Sequence, residues 1–575
     1  MAVAAGVPEA VAKTAPYVED VGSKLPVLQG MDFEAMLFEQ LKSQLGDQFI
    51  EGENTFGPEP TAAALATNPI VIAQAFLEKD FGSIYLTGFS DLLVREDHDL
   101  TTDAAGNLIA VPSGIQGNKY TVWDVKHSGE AKPHYKLQVG AYLEILQDMG
   151  IASDRNSGLV LRSRECVGFD PQELLDDYFK ARQELFETLD ANPPESIHSA
   201  EDLTWHCDTK RICETIYCEY PKLCAADRVE LDVLTQISGI RQSQITKLEN
   251  DGWSTIAELA EMPEDYNLFG IEKSTLDEYR QAADVIHWQK ETGNPEVVLK
   301  KPAAEIRAMM PAPHPADLFF DLEWYTPAGE QVELQYLFGV VDRQQEFTPF
   351  IAHDILAERD AFEQFVNWAT KHLRENPGAH IYHFNNPEVT YLRKLAQRHA
   401  FYFDEVDELI EQMFDLYPVV KHTMINGYGS NSIKVLEHFY DPQHATDDGL
   451  RGDTDVADGA DSQLEYYRYL KLLAEGEPEK ARQKFDDLLN YNRADCVSTL
   501  LLRDWLQTGL DGFRMVDEAP FCPRCNQRML FALYGMPGSE PDKTKYAVMG
   551  CTLIVGMPMP KYVCYCDDDD NIEAL

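Results

Sequence analysis

Residues 316–325 read ADLFFDLEWY, an apolar run that closes on two acids one residue apart. Apolar density of this kind suits a strand covered on both faces. Side chains two apart on a strand point the same way, so Asp321 and Glu323 share a face while Leu322 turns to the other. Further along, residues 485–506 read FDDLLNYNRADCVSTLLLRDWL, an amphipathic helix with Tyr491 and Asp495 four apart on one side. Between them, residues 381–395 read IYHFNNPEVTYLRKL and carry Asn385 and Glu388. Two carboxylates on a strand and a third on a helix form a set suited to hard divalent cations.

A second set stands in the N-terminal third. In TVWDVKHS (121–128) Asp124 and Lys126 fall on one strand face, and GFSDLLV (88–94) places Asp91 on a strand of its own. Two acids with a lysine match metal-assisted phosphodiester hydrolysis: the acids hold a cation that lowers the pKa of a bound water, and the lysine orients that water or faces the developing charge. Downstream, KLQVGAYLEIL (136–146) puts Gln138 and Tyr142 at i and i+4 of a helix, and upstream Glu34 opens the first helix.

The 316–506 motifs resemble the DnaQ-type 3′–5′ exonucleases of the RNase H-like fold. That resemblance implies Asp321, Glu323 and Asp495 as ligands of Mg²⁺ or Mn²⁺, Glu388 as the middle acid, and Tyr491 as the residue that positions water. The earlier set resembles the PD-(D/E)XK nucleases of the RecB type, which implies Asp91 and Asp124 as metal ligands, Lys126 as catalytic, and Gln138 and Tyr142 as contacts to the nucleic-acid backbone. Many relatives carry His where this chain has Phe33. Phenylalanine cannot ligate, so either Glu34 supplies the extra ligand or metal binding there is weak. The order of motifs from about Gly30 to Leu506 is similar to a bacterial family of RecB-like nucleases that fuses both folds. The segments DLYPVVKH and SNSIKVLEHFY share in that likeness, with Lys434 and with Asp415, a ligand or a structural residue.

The 11 cysteines are clustered. Cys207, Cys213, Cys218 and Cys224 follow the pattern C-x5-C-x4-C-x5-C, which suits a 4Fe–4S cluster or Zn²⁺. In the tail, Cys522 and Cys525 with Cys564 and Cys566 read as a zinc ribbon, with Cys551 able to replace one of the second pair. Tight clusters without a secretory signal favour metal over disulfides.

The chain has 575 residues, enough for roughly three or four domains. Its net charge of −48 argues against a polyanion held by global electrostatics, but leaves room for a local basic groove and fits an acid-favouring, salt-tolerant host. The Ala-rich first 28 residues are interrupted by charges and prolines, unlike a signal peptide, and no apolar stretch is long enough to span a bilayer. A cytoplasmic protein with no membrane partner is expected.

The expected fold class is α/β multidomain. A flexible segment (1–28) precedes a PD-(D/E)XK, restriction-endonuclease-like domain (29–200) and the four-cysteine segment (201–230). A small helical, helix-hairpin-helix-like domain (231–300) follows, then a Pro-rich linker (301–316), an RNase H-like domain (317–512) and a zinc-ribbon-like tail (513–575). Strands are expected at Ile84–Leu86, Phe89–Val94, Tyr120–Val125 and Ser157–Arg162, with helices at Tyr135–Met149 and Pro171–Asn192. The chain reads as a metal-dependent nuclease on nucleic acid, DNA before RNA. The competing readings are one degenerate module that only binds, or a non-catalytic scaffold stabilised by metals.

Overall fold

The computed structural model describes residues 24–52, 57–82, 84–191, 228–330, 332–385, 387–442, 459–534, 540–550, 561–564 and 573–574. The four-cysteine segment, Cys551 and Cys566 lie outside the described residues. The chain divides into two compact units, the first holding the described residues up to Ala191 and the segment Trp324–Leu334, the second the rest.

The first unit is built on a six-stranded sheet of order β1-β2-β3-β6-β7-β8. Its strands are β1 (Phe49–Glu51), β2 (Val71–Asp80), β3 (Tyr85–Arg95), β6 (Tyr120–Lys126), β7 (Ser157–Leu161) and β8 (Cys166–Phe169). β3 runs antiparallel to both β2 and β6, while β1 is parallel to β2 and β7 returns parallel to β6. Helices α1 (Leu25–Leu45) and α2 (Pro58–Ala66) precede the central strands, and α3 (Pro133–Asp148) and α4 (Pro171–Ala191) follow them. Each face of the sheet carries its own apolar cluster. Leu93, Tyr120 and Val122 pack with Val139 and Leu143 of α3, while Leu92, Val94, Trp123 and Val125 pack with Phe33, Leu37 and Leu41 of α1.

Three local features depart from expectation. The ten-residue β2 was not anticipated, because Gln74 at φ 51° interrupts its strand period. The two short strands expected at 84–94 are one strand, continuous through Gly88. A Cβ there would lie 2.5 Å from Tyr142 Oη, so the glycine makes room for the helix rather than marking a turn. The turn-rich stretch between β3 and β6 forms a hairpin, β4 (His98–Thr102) with β5 (Leu108–Pro112). Its turn is held by Asp103 Oδ1, which accepts from the backbone N–H groups of Ala105 and Asn107 at 2.8 Å.

In the second unit, short helices α5 (Gln242–Asn250) and α6 (Ile256–Ala260) pack with α7 (Lys273–Thr292) around Leu248, Ile256, Leu259 and Ala283. Strand β9 (Val297–Leu299) and helix α8 (Ala303–Ala308) occupy the Pro-rich stretch and its approach, with Ile306 fully buried. A five-stranded sheet follows, of order β12-β11-β10-β13-β14. It comprises β10 (Leu318–Tyr325), β11 (Leu334–Val341), β12 (Phe347–Ile351), β13 (Ile381–His383) and β14 (Met413–Asp415), with β13 parallel to both β10 and β14 and β12 antiparallel to β11.

Alternation along β10 assigns its two faces. Leu318, Phe320 and Leu322 pack with α9 (Ile355–Glu375), α10 (Pro387–His399) and α11 (Phe403–Glu411). Phe319 faces the cluster formed by α12 (Tyr417–Thr423), α13 (Ile433–Tyr440) and the 31-residue α15 (Pro478–Thr508). β15 (Met424–Asn426) pairs with β9, and α14 (Gly459–Ala474) precedes α15. The tail adds β16 (Leu530–Tyr534), β17 (Tyr546–Gly550), β18 (Tyr562–Cys564) and β19 (Glu573–Ala574). No helix among the described residues is long and apolar enough to cross a membrane.

A buried ion pair ties α15 to the start of β10: Arg503 Nη2 lies 2.9 Å from Asp317 Oδ2, with both side chains almost wholly excluded from water. Asp317 also accepts the backbone N–H groups of His314 and His380, at 2.8 and 3.0 Å. Removing the cation strands a buried carboxylate. Arg503→Met is therefore expected to destabilise this unit by about 3–5 kcal/mol, and Asp317→Asn in the same chain to recover part of the loss. Urea titration followed by tryptophan fluorescence checks it. An unchanged midpoint for the single variant would refute the role given to the pair.

Candidate metal centres

The face of β10 that carries Phe319 also carries Asp321 and Glu323, and α15 brings Asp495 to them. One ligand oxygen from each lies within 4.8 Å of the other two, so the strand pair and the helix acid form a single centre. The polypeptide holds the acids in place. Asn492 Nδ2 donates to Asp321 Oδ2 at 2.7 Å, and Ser462 Oγ donates to Glu323 Oε2 at 2.5 Å. Tyr336 Oη lies 3.1 Å from the same Ser462 hydroxyl, and its ring stacks on Tyr466 at 3.9 Å between centroids. Asn492 is fully buried and lies so close to β11 that a Cβ on Gly339 would sit 1.6 Å from its Oδ1. Glycine is the residue that lets Asn492 reach Asp321.

The electrostatics follow from crowding like charges in a desolvated volume. Burial first, then the charges of Glu323, Asp495 and Glu388, raise Asp321 well above the usual carboxylate range. Burial and the charge of Asp495 push Glu323 up to about 8, opposed by its Ser462 hydrogen bond and by the charge of Lys434. Carboxylates so arranged are unfavourable when ionised alone and become favourable around a cation.

Glu388 stands apart from that group. It lies near the start of α10, buried, with Oε2 3.2 Å from His383 Nδ1, which is also 2.7 Å from the Asn385 carbonyl. Burial raises Glu388, against the pull of His383. Asn385 adopts φ 85° at the turn between β13 and α10, an uncommon conformation for a residue other than glycine. Asp415 Oδ1 accepts the backbone N–H groups of Asn385 and Tyr417, at 2.8 and 2.9 Å, and so anchors this turn. Tyr491 is buried on α15 and accepts a 2.8 Å hydrogen bond from Lys434 Nζ.

In the first unit the residues singled out from the sequence also meet, with looser geometry. Asp91 on β3 and Asp124 and Lys126 on β6 face α3, whose Gln138 and Tyr142 continue the chain of contacts. Lys126 Nζ lies 2.6 Å from Asp124 Oδ2 and donates to Gln138 Oε1 at 3.0 Å, while Gln138 Nε2 is 3.4 Å from Tyr142 Oη. Asp91 Oδ2 accepts the Val125 N–H at 2.7 Å, and Asp124 is fully buried beside it.

Burial, with the charges of Asp124 and Glu34, raises Asp91 well above its ordinary range; burial also raises Asp124. Burial pulls Lys126 down, but the charges of Asp124 and Asp91 outweigh it and hold the ammonium above its usual value. Glu34 shares this field, raised by burial and by Asp124. Yet Glu34, Asp91 and Asp124 do not form a group with ligand atoms all within 4.8 Å.

Phe33 is a wholly buried core residue, 5.7 Å between centroids from the His127 ring. Gln74, missed in the sequence, hydrogen-bonds Glu34 from its left-handed backbone position; the sequence signal was a lone amide inside an apolar run.

In the tail, Cys522, Cys525 and Cys564 bring their sulfurs within 4.8 Å of one another, with Cys525 and Cys564 at 3.4 Å. The CPRC turn is closed by hydrogen bonds between Cys522 and Gln527 and between Asn526 and Cys522, and pairing of β18 with β16 delivers Cys564. This donor set fits Zn²⁺.

A model of the RNase H superfamily, RNase_H_2, matches residues 318–507, which span the sheet from β10 and helix α15. No curated protein and no solved structure matches the chain. The second unit thus contains an RNase H-like domain, and the converging acids lie within it.

The raised carboxylates carry a pH signature. A carboxyl whose folded pKa exceeds its unfolded value lowers stability as pH rises from the unfolded pKa, near 4, to the folded one, about 8 for Glu323. In metal-free protein, Asp321→Asn is expected to raise the melting temperature at pH 8 by about 2–5 °C, with a much smaller effect at pH 4. Thermal melts in EDTA across that range check the sign. A lower melting temperature at pH 8 would contradict it.

Proposed function

We propose that this chain is a metal-dependent nuclease with two centres, an RNase H-like 3′–5′ exonuclease centre at Asp321, Glu323 and Asp495 and a RecB-like, PD-(D/E)XK centre at Asp91, Asp124 and Lys126. The observation that carries the reading is the convergence of three carboxylates, two from alternate positions of β10 and one from α15, inside the region matched by the RNase H superfamily. Mg²⁺ or Mn²⁺ held there would polarise the phosphodiester and lower the pKa of a bound water. Asp321, Glu323 and Asp495 would be its ligands. Asn492 and Ser462 fix the first two, Tyr491 orients the attacking water, and Glu388 completes the acidic surround.

For the RecB-like centre, the supporting observation is the order of elements. Glu34 stands on a helix, Asp91 and Asp124 with Lys126 on antiparallel strands, and Gln138 and Tyr142 on the helix that follows. In this reading Lys126 faces the developing charge, and Gln138 and Tyr142 approach the nucleic-acid backbone. The substrate is nucleic acid, DNA in preference to RNA. The helical block 231–300 adds a binding element, and the cysteine-rich segment at Cys207–Cys224 adds an iron–sulfur or zinc site. A second reading has one specific observation in its favour: Glu34, Asp91 and Asp124 do not bring three ligand atoms within 4.8 Å of one another, as a degenerate module that binds without cutting would show.

End-labelled single- and double-stranded DNA and RNA, incubated with Mn²⁺, test both readings. Asp321→Ala and Asp124→Ala are each expected to remove a distinct set of products, with rate losses of at least about 100-fold. Loss on Asp321→Ala alone would assign a purely binding role to the RecB-like unit. Wild type that cuts none of these substrates would leave a scaffold in place of an enzyme.

The tail is proposed to hold one Zn²⁺ on Cys522, Cys525 and Cys564, with a further thiol from Cys551 or Cys566. Purified protein is expected to release that zinc on thiol modification, and Cys522→Ser to lower the zinc content by one equivalent. Equal zinc in wild type and variant would rule the site out.

A further inference from the structure

The RNase H-like centre has an amine beside it that the reading above does not employ. Lys434 stands in the first turn of α13, with Nζ 2.8 Å from Tyr491 Oη and 5.0 Å from the centroid of the same ring. An ammonium has three donors and no acceptor, so in this bond the phenol oxygen must accept. The phenol proton is then turned away from Lys434. Tyr491 and Asp495 occupy one side of α15, four residues apart, and the Lys434 charge also acts on Glu323. The lysine therefore adjoins the tyrosine, and its charge reaches the acids.

A purely structural role is a poor account of this lysine, because α13 is fastened by other groups. Leu436 is fully buried in the core, the Ser498 hydroxyl donates to Glu437 Oε1 at 2.6 Å, and Tyr440 Oη meets the same hydroxyl at 2.7 Å. Placing a cation at the edge of a desolvated site costs free energy unless charges of opposite sign surround it. The Lys434 charge acts on Glu323, and the cation is aimed at the one tyrosine that the α15 motif contributes.

We propose that Lys434 is a positioning residue of this centre, fixing the Tyr491 hydroxyl so that its proton faces the carboxylates and the attacking water. The inference rests on the nuclease reading of Asp321, Glu323 and Asp495. Lys434 acts through Tyr491, so its effect appears in the chemical step and disappears when the tyrosine hydroxyl is gone.

The test uses the full chain, end-labelled single-stranded DNA and Mn²⁺, under single-turnover and steady-state conditions. Lys434→Met and Tyr491→Phe are each expected to lower kcat by about 10- to 100-fold, with KM and the Mn²⁺ dependence changed less than about threefold. The double variant should fall no further than the worse single one, since residues that act as a unit are non-additive. Lys434→Arg, which keeps a donor and the charge, should recover part of the rate. Multiplying losses in the double variant would make Lys434 an independent contact and overturn the inference, as would a rise in KM at constant kcat. Should Lys434→Met fail to fold, Lys434→Gln takes its place in the same cycle. Wild-type activity in Lys434→Met with a dead Asp321→Ala overturns the Lys434 inference alone. Wild-type activity in Asp321→Ala overturns the nuclease reading of this centre and the inference with it.

Discussion

Like charges drawn out of water into one small volume are the constraint on which the second unit turns. Asp321, Glu323 and Asp495 converge while burial and mutual repulsion push the first two far above their ordinary ionisation range. A fold tolerates that only if neighbouring groups define where each carboxylate sits. The fixing groups come from distant parts of the chain: Ser462 from α14, Asn492 from α15, and the bare backbone of Gly339 from β11. The apolar clusters on both faces of the sheet and the buried Arg503–Asp317 pair keep these elements in register. Stability given up at the acids is the free energy that a bound divalent cation would return.

How much of this was legible in the sequence differs by scale. The strand at 318–325 and the long helix through Tyr491 and Asp495 could be read directly, because period-2 and period-3.6 patterns survive in any context. So could the acids themselves, since Asp-x-Glu on a strand and i, i+4 on a helix fix which residues share a face. The residues that hold the acids were not legible. Ser462 lies 139 positions from Glu323 and Asn492 171 from Asp321, and neither serine nor asparagine announces a partner at that range. Gly339 and Gly88 carry no side chain from which a partner could be read. Each is a place where a neighbouring side chain needs the volume of a Cβ. Strand β2 escaped notice for the opposite reason: Gln74 breaks its alternation by adopting a left-handed backbone, and the same deviation brings its amide to Glu34.

The two acidic centres solve one electrostatic problem with different geometry. Each sets carboxylates on a strand, adds a lysine, and draws further polar groups from a helix at i, i+4 spacing. In the first unit the lysine is bonded directly to an acid, Lys126 to Asp124 at 2.6 Å, and Glu34 does not close a three-acid group with Asp91 and Asp124. In the second the acids converge and the lysine hydrogen-bonds the tyrosine instead. A lysine that neutralises a carboxylate competes with a cation for it. A lysine on the tyrosine leaves the carboxylates available to metal. The same residue types therefore favour different resting states, one partly neutralised by the protein itself and one that calls for an external charge.

The overall charge sharpens that requirement. At −48 the surface repels a polyanion at long range, so approach of a nucleic acid depends on local cations and on the ionic strength of the medium. Many of the described basic side chains are committed to ion pairs: Arg503 to Asp317, Arg514 to Glu296, Lys561 to Asp284, Arg182 to Glu144 and Arg398 to Glu358. Those pairs hold elements together and offer little to a phosphate backbone. In the proposed nuclease reading, divalent cations at the acidic centres would supply the missing positive charge and so would add to attraction as well as to chemistry. High salt, which weakens the binding of ordinary basic nucleic-acid proteins, screens repulsion here. An acidic exterior and a cluster of converging buried carboxylates are thus two consequences of the same excess of acids.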